Sequence, residues 1–445
     1  MVGQVSSTGP ASGSIFQRYD RQVWILVGGS LINSFGFSIA YPFISLYLYL
    51  YRGIPMTDVG IALLTASVVG LLGQLVAGEL CDRIGRKFSM NLGLAMNTIV
   101  FALLTGAIVL NLSYGAFVLL MCCREISGGL YRNIPNVMVA DVVDPGDRNG
   151  AFSLLRIGAN LGFALGPIFG GALALYSYAI MFAVTTVTSA TYLLISLTLL
   201  RDTKPEHCHA AKLSGNGSIW ADHPFLLYCA VAALISVVYS QMLTTFSTYS
   251  GSYGHVNESA IGLLFSLNGF MVVFLQYPIA VFLERFRLTT ALASGTLLYA
   301  VGFGMVGLCT GFWPLFAAMF VISTGELVSS PPSMNIVARM ADPQSRGRYM
   351  GFSGVIGNTG FAAGPFVGGF LMDAFRGQIE LMWLAMGALA IVCAGGFLLL
   401  RTKVDREIDQ SMGVARVYPR LHREMPFLAL PLAPLSLVKY IRRQR

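Results

Sequence analysis

The chain has 445 residues, of which 55% are apolar and 11% charged, and its formal net charge is +8. Soluble globular domains carry roughly 25% charged residues, so this composition excludes an ordinary soluble fold and points to a bilayer. The positive charge is spread over short loops rather than gathered on a basic folded domain, which excludes a nucleic-acid partner.

Met1–Ser14 is rich in Gly and Ser, and residues 1–21 read as a disordered cytoplasmic N-terminus. The first apolar run follows Arg18 and Arg21 and is too long for a cleavable signal peptide. Runs of about 20 apolar residues suffice to cross a bilayer core. They recur over 22–50, 58–81, 88–110, 115–142, 149–176, 178–200, 223–250, 257–283, 289–310, 313–341, 346–374 and 379–401. The pattern predicts an all-α integral membrane protein with twelve transmembrane helices. They form two six-helix bundles, 22–200 and 223–401, joined by a polar connector at 201–222 and followed by a basic tail at 402–445.

Loop charge sets the predicted orientation. Loops after even-numbered spans carry Arg83, Arg86 and Lys87; Arg148; Arg201, Lys204 and Lys212; Arg285 and Arg287; and Arg346 and Arg348. Loops after odd-numbered spans carry only Arg52 and Arg376. Basic loops stay in the cytoplasm, so both termini are expected inside. The tail adds Arg416, Arg420, Arg423, Lys439, Arg442, Arg443 and Arg445. It either lies on the anionic inner leaflet or is solvated and mostly disordered. The seven cysteines are scattered and give no disulfide framework. His207-Cys208-His209 in the connector is a weak metal candidate with no further ligand cluster near it in sequence, so no metal and no cofactor are expected.

The two halves repeat. Residues 139–171 align with 337–369 at a constant offset of 198, with 13 of 33 positions identical and no gap. The shared positions include Asp144/Asp342, Pro145/Pro343, Arg148/Arg346 and Asn160/Asn358. They also include Gly162/Gly360, Gly166-Pro167/Gly364-Pro365 and Gly170-Gly171/Gly368-Gly369. Such duplication means two halves built on one plan. In a membrane protein it implies a substrate site between them, reached by rocking one half against the other. The glycines make a stripe that permits close backbone contact, and Pro167 and Pro365 each remove a backbone donor.

A second motif, Gly78-Glu79-Leu80-Cys81-Asp82-Arg83-Ile84-Gly85-Arg86-Lys87, fills the turn between the second and third spans. Gly78 is expected to allow close helix packing and Gly85 a turn that a Cβ would resist. Asp82 at a helix end needs a cation or a helix N-terminus. Arg83, Arg86 and Lys87 either pair with acids on adjacent helices or face the inner leaflet. The second half holds a worn copy, Leu283-Glu284-Arg285-Phe286-Arg287.

At these residues the chain resembles the major facilitator superfamily, and within it the twelve-helix drug/proton antiporter group. Gly78 to Lys87 matches that family's loop signature at its charged and glycine positions. Arg124-Glu125-Ile126-Ser127-Gly128-Gly129 resembles the fourth-span signature, and Gly162 to Gly171 the fifth-span signature associated with antiporters. Ser34-Phe35-Gly36 through Tyr41-Pro42 loosely resembles the first-span pattern, and the likeness covers residues 20 to 401. The resemblance implies that Gly162, Gly166, Pro167, Gly170, Gly171, Gly360, Gly364, Pro365, Gly368 and Gly369 mark paired gate helices. Each would pack against the other half. It also implies a cytoplasmic latch of Gly78, Asp82, Arg83, Gly85, Arg86 and Lys87, with Asp141 as partner to an arginine. The blander readings are tight packing for the glycines and snorkelling for the charges.

Charges inside spans are costly and are functional candidates. Glu125, Gly129, Arg132 and Asn136 share one face of a continuous helix, and Arg124, Gly128, Tyr131 and Pro135 the neighbouring face. The resemblance places the first, fourth, seventh and tenth spans around a central cavity. Arg124, Glu125, Arg132, Asn136, Arg156 and Glu326 are therefore the candidates for proton coupling or substrate contact, Glu125 the best placed for the proton. The alternative is a static Glu–Arg pair. The group's members often carry an acid in the first span, and here Val23 to Tyr51 holds none.

Neither H-E-x-x-H nor a G-x-x-x-x-G-K-[ST] phosphate loop occurs, so an enzyme and an ATP-driven pump are both disfavoured. The expected function is secondary transport by alternating access, as a monomer in the cell membrane. Its expected partners are a small-molecule substrate, protons and lipid. Efflux of amphipathic compounds by proton antiport leads. A uniporter or symporter for a sugar or organic anion, and a non-transporting sensor or scaffold, stand as alternatives.

Overall fold

The computed structural model describes residues 18–144, 147–203, 219–342 and 345–410. The first half contains α1 (Arg21–Leu46), a π-helical turn (Tyr47–Tyr51), α2 (Met56–Arg83) and α3 (Arg86–Val109). It continues with α4 (Tyr114–Tyr131), α5 (Ile134–Val142), α6 (Arg148–Tyr176) and α7 (Tyr178–Leu199). The second half contains α8 (His223–Ser240), α9 (Thr245–Ser252), α10 (Glu258–Leu283), α11 (Leu288–Val306), α12 (Phe312–Met340), α13 (Arg346–Ala374) and α14 (Ile379–Lys403). Short polar side chains start several of them. Asp20 accepts the Gln22 N–H at 2.6 Å, Asp222 that of Phe225 at 3.0 Å and Asn257 that of Ala260 at 2.9 Å, satisfying donors a helix leaves open at its first turn.

Eleven spans among the described residues are long and apolar enough to cross a membrane. Leu75, 73% exposed, and Val392, 65% exposed, lie on a surface that water would penalise and lipid would not. The predicted fourth span is the exception. It divides into α4 and α5 at Arg132-Asn133 rather than running unbroken over 115–142. Pro135 has no N–H to give the Tyr131 carbonyl, and its ring crowds that turn. The expected single face through Glu125, Gly129, Arg132 and Asn136 is therefore interrupted, and Asn136 lies exposed beyond the break. The predicted seventh span likewise turns at Gln241–Thr244, between α8 and α9. There the Gln241 amide donates to the Val237 carbonyl at 2.7 Å and the Thr245 hydroxyl to the Gln241 carbonyl at 3.2 Å, taking up acceptors that the interrupted helix leaves open.

The halves touch through two related pairs of helices, α6 with α10 and α2 with α13. The apolar interior is divided unevenly. One large core joins both halves at the end away from the basic loops, running from Phe43, Met56 and Phe182 to Phe265, Phe303 and Trp383. At the basic-loop end each half has its own core, around Leu26, Met90, Met138 and Leu155 in the first and Phe225, Leu292, Ile336 and Phe397 in the second. The halves are thus sealed together at one end and separate at the other.

Candidate functional site

Two charged clusters sit between the shared core and the separate ones. In the first half, Arg124 and Glu125 are neighbours in sequence, which points them to different helix faces. The arginine is long enough to reach round, and its Nη1 donates to Glu125 Oε1. Arg132, at the end of α4, donates to the other oxygen, Oε2, at 3.2 Å. One carboxylate therefore serves two guanidinium groups. The Arg124 guanidinium also lies over the Phe37 ring of α1 at 4.8 Å, a favourable place for a cation in a dry setting. Tyr131 donates to Asn33 of α1 at 3.0 Å. Arg124, Glu125 and Phe37 border a pocket that is lined also by Tyr41 and by mostly apolar residues of α2, α3, α4 and α7.

The second cluster centres on Glu326 of α12. It accepts from Asn268 of α10 at 2.8 Å and from the Tyr239 hydroxyl of α8. The Asn268 amide also donates to Ser323 at 3.1 Å. Arg156, on α6 of the first half, is the positive charge acting on Glu326 from across the gap. Arg156 itself is exposed, so it faces the space between the halves rather than a packed core.

The basic turn between α2 and α3 is built around Arg86. Its side chain is 6% exposed, pairs with Asp141 of α5 at 3.4 Å and donates to the Cys81 carbonyl at 2.8 Å. Gly85 has φ +134°, a conformation few side chains adopt, and a Cβ there would fall on the Asp202 carboxylate. Asp202, in the segment after α7, accepts the Arg86 N–H at 3.1 Å and so closes the open first turn of α3. The side chain of Asp82 lies outside the described residues. Arg83 pairs with Glu79 of its own helix at 2.5 Å, with both side chains largely exposed, and Lys87 donates to the Leu197 carbonyl at 2.9 Å. Gly78 corrects its expectation: among the described residues nothing lies within 4 Å of the position its Cβ would take, and no described helix packs closely there.

The repeated glycine motif divides by direction. Added Cβ atoms at Gly162 and Gly170 would strike the carbonyls of Leu31 and Ile39, and one at Gly166 the Ser38 hydroxyl, all on α1 of the same half. Gly360, Gly364 and Gly368 likewise face Ala233, Ser240 and Gln241 of their own half. Only the last glycine of each copy reaches across, Gly171 to the Glu258 carbonyl of α10 and Gly369 to the Met56 carbonyl of α2. The proline carbonyls cross as well. A Cβ on Gly262 would meet that of Pro167, and one on Gly60 that of Pro365. The helices themselves pack across the halves, α6 on α10 and α13 on α2, while most of each stripe faces the neighbouring helix of its own bundle, because residues spaced by four share one face.

Polar clasps reinforce the sealed end, and sequence reasoning passed over them. Glu258 accepts from Tyr51 at 2.7 Å and from Tyr178 at 3.2 Å, both in the first half. Asp373 accepts the Thr57 N–H and hydroxyl, each at 2.7 Å, and pairs with Arg376 at 2.9 Å. The one available signal was an acid just inside a span end, close in sequence to aromatic or basic residues. At the opposite end of the second half, Asp409 is fully buried and accepts the Thr289 N–H at 2.8 Å and hydroxyl at 2.7 Å. No cluster of three or more metal-ligating side chains occurs among the described residues, and His207-Cys208-His209 lies outside them.

Comparison with known proteins agrees with this architecture. The family model for the Major Facilitator Superfamily matches residues 26–256 and 255–445. The uncharacterized MFS-type transporter YttB of Bacillus subtilis (strain 168) is 25% identical over 402 residues, covering 89% of this chain and 99% of that protein. The multidrug resistance protein MdtH of Citrobacter koseri is 26% identical over 378 residues, covering 83% and 91%. Among solved structures, a POT family transporter in complex with 5-aminolevulinic acid superposes with a TM-score of 0.72 at 14% identity, covering 87% of this chain and 99% of its own. The nucleoside transporter NupG does so at 0.71 and 14%, covering 87% and 100%. At such identity these two structures share the fold alone.

Proposed function

Because this chain belongs to the Major Facilitator Superfamily, a family of multi-pass membrane transporters rather than enzymes, we propose that it expels small amphipathic molecules by alternating access in exchange for protons. The observation that carries this reading is the uneven core. One apolar core binds the halves at one end while two separate cores leave the other end parted, and the charged clusters lie where the two regimes meet. Rocking about the paired contacts of α6 with α10 and α2 with α13 would exchange which end is parted. Multidrug relatives at 25–26% identity support an amphipathic cargo. The basic loops support a cytoplasmic location for the parted end.

Glu326 is the acid we assign to the proton. It is held by two neutral donors, Asn268 and Tyr239, so a proton on it leaves no guanidinium stranded in its own half. Arg156 approaches from the opposite half, so its pull on Glu326 changes as the halves rock. In proteoliposomes holding an amphipathic dye, an imposed pH gradient should drive flux through the wild-type protein. Glu326→Gln should retain dye exchange between equal pH on both sides but lose the gradient-driven component. Equal gradient dependence in the variant removes Glu326 from coupling, and absence of any dye flux in the wild type removes the transport reading.

A further inference from the structure

We propose that the first-half pocket is a subsite for the anionic end of an amphipathic substrate, with Glu125 holding the place of that anion while the pocket is empty. The ligand class is a carboxylate or sulfonate on an aromatic or aliphatic body. The inference rests on the transport reading for its biological meaning, but not for its test.

Arg124, Glu125 and Arg132 are linked, with side-chain exposures of 12%, 19% and 49%. Two cations against one carboxylate leave one positive charge without a partner among these three. Arg132 is half-exposed and screened by water, but at the largely buried Arg124 end an excess positive charge is expensive, and an anion of substrate there would remove it. Tyr41 of α1 lies close to both arginines, but as a phenol it offers no opposing charge. From α2, Gly70 packs on the Glu125 side chain and Ser67 borders the pocket, and neither is charged.

Arg124 donates to Glu125 and to no other described residue. A guanidinium has five N–H donors, so most of its binding capacity is unspent. The Phe37 ring lies 4.8 Å from its central carbon, and its paired N–H groups favour an acceptor with two or more oxygens over a point charge. The remaining wall is apolar, with Leu63, Phe101, Leu104, Met121 and Phe182. A charged end near one guanidinium and a hydrocarbon body against this wall describe an amphipathic anion. A cationic amphipath would have to approach Arg124 and Arg132, and Glu125 is already engaged by both.

The consequence is a competition. Glu125 and the substrate anion seek the same guanidinium groups, so removing the Glu125 charge should improve anion binding, whereas a purely structural ion pair would be damaged by its loss.

The test uses the full chain in nanodiscs at equilibrium, with two dyes that share one aromatic body. These are 8-anilino-1-naphthalenesulfonate, an anion, and N-phenyl-1-naphthylamine, its neutral counterpart, each corrected for binding to empty discs. The wild type should bind the sulfonate at least about tenfold more tightly, the order of one charge-assisted hydrogen bond. Arg124→Gln should bring the sulfonate down to the level of the neutral dye and leave the neutral dye unchanged, which also shows that the pocket is intact. Glu125→Gln should tighten the sulfonate severalfold without moving the neutral dye. Leu104→Trp should fill the pocket and weaken both. The inference is overturned by equal affinity for the two dyes in the wild type, by weaker sulfonate binding in Glu125→Gln, or by binding that Leu104→Trp leaves undiminished. No gradient is involved, so a failure here leaves dye flux untouched, and a failure of flux leaves this result standing.

Discussion

The two halves solve the same problem at the basic-loop end with different residues. In the first half, a buried arginine, Arg86, opens α3 and pairs with Asp141 of α5, while Asp202 from the segment after α7 caps the helix. In the second half, α11 opens with Leu288, also buried. The residue that aligns with Asp141 is Arg339, so cation and acid have both been lost from their original positions. The cap survives in another form. Asp409, from the segment after α14, accepts the Thr289 N–H and hydroxyl, and the Leu288 N–H donates to the Asp409 carbonyl at 2.8 Å. A buried helix start needs an acceptor for its open N–H groups whatever the sequence around it. A buried ion pair is optional when both partners change together, because it is the removal of one partner alone that strands a buried charge.

The comparison makes its largest prediction at the sealed end, where the halves remain alike. Gly171→Leu and Gly369→Leu place side chains on carbonyls of the opposite half, whereas Gly166→Leu strikes Ser38 of its own bundle. The first two should all but abolish gradient-driven flux, a loss of at least about a thousandfold, equivalent to roughly 4 kcal/mol. They should also raise labelling of cysteines introduced near Glu258 and Met56. Gly166→Leu should instead lower thermal stability, by about 1–3 kcal/mol as an overpacked contact, without raising that labelling. Similar labelling in all three variants would erase the distinction between the two faces of α6.

Next in size is the buried pair found only in the first half. Arg86→Leu imitates Leu288 but leaves Asp141 without its partner, and should destabilise by about 3 kcal/mol, the low end for a broken buried pair. Adding Asp141→Ala should restore a substantial part of that loss in a thermal unfolding assay in detergent. Additive losses in the double variant would show that the two side chains do not act as a pair.

The smallest effect belongs to the feature both halves kept. Asp202→Asn and Asp409→Asn should each cost about 1 kcal/mol, the usual scale of a helix cap, with a somewhat larger effect at the fully buried Asp409. No change in unfolding temperature at Asp409 would mean that residues 404–410 add nothing to the second bundle.

Much of this architecture was legible in the sequence, for reasons specific to membranes. Apolar runs, the glycine turn at Gly85 and the constant offset of 198 are written in composition and spacing, while Asp141 as partner to an arginine followed from the family resemblance. The break at Arg132-Asn133 was also present in the sequence, since Pro135 cannot continue the ladder, but the apolar run concealed it. The site was legible only as a set of candidate charges. Arg124 and Glu125 belong to different helix faces, and their union around one carboxylate depends on the reach of an arginine and on the Phe37 ring of another helix.

What the sequence determined by itself is therefore what the bilayer demands of each segment: length, apolarity, a basic flank, and a repeat that implies two similar bundles. These are local demands, met one helix at a time. Only the tertiary structure decided direction and partnership. It showed that most of each glycine stripe faces its own half, that Gly171 and Gly369 alone carry it across, and that Glu326 is held by Asn268 and Tyr239 with Arg156 opposite. It also revealed that two acids from the segments after α7 and α14 cap α3 and α11. A side chain's partner depends on how helices are rotated and stacked, and in a uniformly apolar helix no hydrophobic face records that rotation.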